Sequence, residues 1–173
     1  MDAILCSLSP KRLAMIQDDP EVVTDLVDAR HESEIPGLLD LGNTWHALDV
    51  ILGEGKNALL GDAVLARSGE KLPGAAKAKL LSPERVAEIA KALAALPSTQ
   101  VSDKFKSLAG KQVHGGYGDD PGVDDDTAYL REKVSKRQTV EVKELSEALV
   151  SLTALYQDAA KTKYSILMVI VSG

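Results

Sequence analysis

The chain has 173 residues, a length that fits one domain able to bury a real core. Its net charge of −6 and pI near 5.1 argue against a general nucleic-acid or anionic-membrane surface, since both need a basic patch. One cysteine, Cys6, excludes an internal disulfide and any cysteine-cluster zinc site, and fits a reducing, cytoplasmic compartment.

Aromatic residues are scarce, so the core must be built from Leu, Val, Ile and Ala. Residues Ala3 to Leu8 read as a short buried strand, in which Cys6 is an inert buried thiol. The opening residues have an acid at Asp2 and too short an apolar stretch for a targeting segment. Ser9 then caps a helix with Pro10 at its first position. A second helix is expected from Asp19 as cap, with Pro20 and Glu21 in its first turn and Val22, Val23, Leu26 and Val27 on its apolar face. The polar stretch ARHESEIPG is a loop.

Leu41, Trp45, Leu48 and Leu52 recur at helical spacing, with Asp40 or Asn43 as cap and Gly53 and Gly55 as stop. The following stretch is rich in small residues, Gly and Pro. It predicts turns, with short strands around Ala63 to Ala66 and Ala78 to Leu81. Ser82 and Pro83 open a clear helix with Val86, Ile89, Leu93 and Leu96 as its buried stripe and Pro97 as its stop. Ser98 caps a shorter one through Val101, Phe105 and Leu108. Residues Gly110 to Asp126 form a glycine-rich, acidic surface loop. A charged helical piece is expected from Thr127 to Gln138. Beyond it Val142, Leu145, Leu149, Leu152 and Tyr156 mark a long amphipathic helix. Last, SILMVIV from Ser165 to Val171 is what a strand buried on both faces looks like; it is far too short to span a bilayer.

These elements predict an α/β fold: a single domain over residues 1–173, with a small mixed β-sheet holding the N- and C-terminal strands under five or more helices. Five segments in order also resemble the YfbM-like family, a family of domains of unknown function. They are LLDLGNTWHALDVILGEG, NALLGDAVL, LLSPERVAEIAKAL, VSDKFKSLAGKQVHGGYG and the closing ALVSLTALYQDAAKTKYSILMVIVSG. The likeness runs from about Asp2 to Gly173. It departs at Gly42, where the family commonly has an acid, at Asp49, where it often has His, and at Gly118, where it usually has Pro after the Tyr. The segment between Asp119 and Gln138 is expanded and acidic. The resemblance implies the fold and carries no catalytic residue with it.

Two constellations invite chemistry. Trp45, His46 and Asp49 lie close together on one helix, and a His–Asp pair can orient an imidazole as a base in a small-molecule pocket. The plainer reading is a histidine at the edge of a packed helix. His31, His46 and His114 share no metal-ligand spacing, and no cofactor motif is present. The glycines of VHGGYGDD lack the ending of a phosphate loop. The acids Asp119, Asp120, Asp124, Asp125 and Asp126, next to Tyr117, do not follow the calcium-loop pattern. They suit contact with a basic protein surface, or else plain solvation. The sequence therefore favours a protein-binding domain over an enzyme. The expected form is a bacterial immunity protein that inhibits a basic toxin or effector such as a nuclease, with no direct nucleic-acid or membrane partner.

Overall fold

The computed structural model describes residues 2–31, 35–53, 55, 57–75, 77–105 and 126–171, with backbone alone for 31, 43 and 126–141. Its first strand, β1 (Asp2–Leu8), is apolar on both faces: Ala3 and Leu5 point one way, Ile4, Cys6 and Leu8 the other, and all are buried. Such a strand must be covered twice. It pairs along its full length with β5 (Ser165–Val171), from Asp2 opposite Val171 to Leu8 opposite Ser165. Around this central pair lie β2 (Leu38–Asp40) beyond β1, and β4 (Ala78–Leu81) then β3 (Glu70–Lys71) beyond β5.

Every pairing among these five strands is antiparallel, where a mixed sheet was expected. The reason is local. A tight turn joins β3 to β4, and the helix before β5 hands the chain back across the sheet, so neighbours run in opposite directions. The α/β class, the presence of the first and last strands in the sheet and the helical cover are as expected.

One face is covered by α1 (Pro10–Asp18) and α2 (Val22–Asp28), whose Ile16, Val23 and Val27 close over Ile4, Cys6, Leu8, Leu167 and Val169. Burial there pushes the Cys6 thiol up to about 11, against the pull of Arg12, so it stays protonated and unreactive near neutrality. The Ser9 side chain accepts from the Arg12 amide and caps α1, with Pro10 in the first turn. Helix α2 starts later than expected: the Asp19 carboxylate accepts from the Glu21 amide and holds a reverse turn, and regular helix begins at Val22.

The opposite face carries α3 (Trp45–Gly53), α4 (Ala58–Leu65), α5 (Pro83–Ala94), α6 (Gln100–Phe105) and α7 (Asp126–Thr162). The stripe Leu41, Trp45, Leu48 and Leu52 is buried as its spacing predicts, but regular helix begins only at Trp45, and Leu38–Asp40 ahead of it form a strand that was not expected. The Asp40 carboxylate accepts from the Gly42 amide at 2.8 Å and turns the chain from β2 toward α3. Ser82 caps α5, with Val86, Ile89 and Leu93 buried beneath it. Helix α7 has 37 residues and spans about 55 Å. Its Leu145, Leu152 and Tyr156 are buried, and Val142 and Leu149 partly so. At its end Lys163 takes a left-handed conformation, and the Tyr164 amide returns to the Ala159 carbonyl, turning the chain into β5.

A strand was expected around Ala63 to Ala66, and that expectation is corrected. Residues Ala58–Leu65 are helix α4, capped by the Asn57 side chain, which accepts from the Leu59 amide at 3.0 Å. Leu60, Asp62, Ala63 and Val64 are all buried, so α4 has no polar face to show a helical period. Leu108 and the loop from Gly110 lie outside the described residues. Among the described residues no helix is long and apolar enough to cross a membrane.

The join between β1 and β2 depends on Gly37. It holds a positive φ of 76°, its carbonyl accepts from the Ser7 amide, and a Cβ there would lie 2.1 Å from Ser7 Oγ. Gly37→Ala is expected to cost about 1–3 kcal/mol, read as a lowered urea midpoint with an unchanged slope. A midpoint equal to the parent's would show that the contact of Gly37 with Ser7 tolerates a side chain.

Candidate functional site

Helix α3 presents three polar or aromatic residues in sequence proximity, and the structure sends them different ways. Trp45 goes into the core, 8 % exposed. His46 is half-buried and stacks on the Trp45 ring, with centroids 5.0 Å apart and planes 30° from parallel. Asp49 is buried, and both its oxygens face Arg67, in the turn after α4. Arg67 Nη1 donates to Oδ1 at 2.8 Å and Nη2 to Oδ2 at 2.5 Å. A carboxylate gripped at both oxygens by one guanidinium has little left with which to orient an imidazole.

A second buried acid lies beside it. Asp62, on α4, accepts from the Ser68 amide at 2.9 Å, the Ser68 hydroxyl at 2.6 Å, and Arg85 through Nε at 3.0 Å and Nη2 at 2.5 Å. Arg85 Nη1 also reaches Glu88 at 3.0 Å. The two halves join, because Arg67 Nη1 donates to the Gly61 carbonyl as well. Burial by itself would raise the Asp62 carboxyl. The Ser68 hydroxyl, Arg85 and the Ser68 amide together outweigh it and hold the group below the ordinary carboxylate range. The bonds to Asp49 and Asp62 in turn push Arg67 and Arg85 further toward the charged form. Next to Asp62 on α4, the Ala63 carbonyl accepts from the Tyr156 hydroxyl at 2.9 Å, and burial pushes that phenol far above its usual value.

The cluster ties α3, α4, the turn through Ser68 and α5 together over a range of 36 residues. Its acids are met by its own arginines, so it holds the fold and leaves no base poised for chemistry. Sequence inspection missed Asp62, Arg67 and Arg85. The available signal was Asp62 itself, a lone acid in the apolar run ALLGDAVL. Among the described residues no group of three or more His, Cys, Asp or Glu side chains is placed to hold a metal ion. The partner-binding candidates Tyr117, Asp119, Asp120, Asp124 and Asp125 lie outside the described residues, as does His114. Asp126 opens α7 without a described side chain.

These features define a helix-covered antiparallel α/β domain braced by buried aspartate–arginine pairs. The chain belongs to the family described as Domain of unknown function (DUF1877), whose model matches residues 1–169. It is also similar to a crystal structure of YfbM from Escherichia coli, a protein of unknown function, at 17 % identity and a TM-score of 0.66. The match covers 99 % of this chain and 100 % of that one. The YfbM-like resemblance read from the motifs is thereby borne out, and at this identity the structural likeness establishes the fold. No curated protein matches the chain.

Asp62→Ala leaves Arg85 and Ser68 facing an empty buried position and is expected to cost about 2–4 kcal/mol in urea unfolding near pH 7. The folded carboxyl lies below its ordinary value of 3.8. Its contribution is therefore present above that pH and lost as pH falls through the folded value. The gap between Asp62→Ala and the parent should narrow below about pH 4. A gap that stays constant to pH 2 would show that the charge of Asp62 contributes nothing.

Proposed function

We propose that this chain is a non-catalytic protein-binding domain of the immunity kind, which neutralises a basic toxin or effector such as a nuclease. The observation that carries the reading is where the charge lies. The chain has 20 basic and 26 acidic residues. Without Asp119, Asp120, Asp124, Asp125 and Asp126 the balance falls to 20 against 21. Nearly all the excess negative charge thus sits in one stretch of eight residues that contains no Lys or Arg. A concentrated charge steers association with an oppositely charged cleft, and a cleft built for phosphates is such a target.

The pairing of Asp49 with Arg67 supports the same side. It leaves less for the second reading, a small-molecule pocket at Trp45, His46 and Asp49, because that acid already serves the fold. Family membership is neutral between the two, since the family has no known function.

The test is co-purification with the product of an adjacent gene that encodes a basic effector, followed by binding kinetics. A one-to-one complex is expected. Replacing the five aspartates by Asn should slow association about tenfold or more at low salt, and added salt should slow the parent in the same way. If no adjacent gene encodes such an effector, or if the five-Asn variant binds within twofold of the parent, the reading fails.

A further inference from the structure

Lys71 and Lys79 stand directly opposite each other on β3 and β4, so their side chains leave the same face of the sheet a few ångströms apart. Like charges in that position destabilise a sheet. Neither lysine is paired with a carboxylate among the described residues: Lys79 Nζ donates to the Arg67 carbonyl at 3.2 Å, and the nearby acids Asp49 and Asp62 are committed to Arg67 and Arg85. Arg67 itself is half-exposed. The chain thus sets Lys71 and Lys79 side by side on one face of this edge, with the exposed Glu70 next to Lys71 on β3 and turned to the other face with Leu80.

Short edge strands often carry Lys and Pro to block pairing with another sheet, and that accounts for Lys71 and Pro73. It does not account for Lys79, because β4 is paired on both sides, to β3 and to β5. The other side of the same edge adds a second feature. Leu72 and Leu80, which face the α1–α2 layer, line a cleft of about 320 Å³ together with Gln17, Pro20, Pro73, Glu70 and Lys71. Gly74 closes the turn tightly over Pro20, where a Cβ would come within 2.9 Å of the ring.

We propose that this corner is a docking surface for an extended acidic segment of a partner protein, whose carboxylates meet Lys71 and Lys79 while a neighbouring apolar side chain enters the cleft. An extended segment turns alternate side chains to opposite sides; here one side of the edge offers the two lysines, and the other a recess in which Leu72, Leu80, Pro20 and Pro73 are joined by Gln17 and Glu70. A nucleic acid fits less well. It needs a longer run of cations and a stacking surface, and the chain's charge of −6 repels a polyanion. The inference stands apart from the acidic stretch and its proposed basic partner.

The test is titration of the isotope-labelled protein, followed by amide NMR, with the synthetic peptide acetyl-Gly-Asp-Leu-Asp-Leu-Asp-Gly-amide. A copy with Lys for each Asp and a ten-nucleotide oligothymidylate serve as competitors in kind. Saturable shifts confined to β3, β4 and the α1–α2 turn are expected for the acidic peptide alone. Lys71→Gln and Lys79→Gln should each weaken it about threefold and the double variant about tenfold, while Lys91→Gln on α5 changes it by less than about 1.5-fold. The proposal is overturned by the absence of saturation up to about 1 mM, by a folded double variant that binds like the parent, by shifts located elsewhere, or by tighter binding of the Lys peptide or the oligonucleotide.

Discussion

Two strands buried on both faces make the demand that the rest of this molecule meets. Strands β1 and β5 pair over seven residues and offer apolar side chains in both directions. Neither face can be left to water, so helices must come from two sides. The thin layer, α1 and α2, follows β1 at once and covers the nearer surface. The thick layer, α3 to α7, is assembled from the middle of the chain and closed by the long helix that leads into β5. The edge strands, β2 of three residues and β3 of two, are short and end the sheet without long open edges.

The thick layer has its own difficulty. Helix α4 is so enclosed that even its acid, Asp62, is buried, and α3 buries Asp49 beside it. A buried carboxylate is costly unless it is met by charge and hydrogen bonds. Arg67 and Arg85 supply both, one from the turn after α4 and one from the first turn of α5. The arrangement gives the layer a defined register, because each arginine reaches its acid from one direction only. It also explains why a pair of residues resembling a catalytic dyad, His46 and Asp49, is drawn apart. The acid is recruited by the fold, and the histidine is left stacked on Trp45.

Charge on this chain is organised by position more than by total. Five of the acids in excess fall in one stretch of sequence, and Lys71 and Lys79 stand opposite each other at the β3–β4 edge.

Much of the architecture was legible from residues alone because its signals are local. Ser9-Pro10 and Ser82-Pro83 announce helix starts through caps that act within one turn, and the α7 stripe and the two apolar strands announce themselves through spacing. The family likeness was legible for the same reason, as ordered local motifs. What stayed hidden depends on partners distant in sequence. Helix α4 shows no visible period because its less buried residues, Ala58, Leu59, Gly61 and Leu65, are apolar or small like the buried ones, while its one acid is buried. The three residues of β2 become a strand only through pairing with β1. The roles of Asp49 and Asp62 are decided by Arg67 and Arg85, 18 and 23 residues away. Composition and spacing thus determined the class of fold and most of its elements, since those follow from each segment's own chemistry. Only the tertiary structure decided strand direction, the identity of α4 and the use of the buried acids, since burial and charge pairing are properties of neighbours that the order of residues does not reveal.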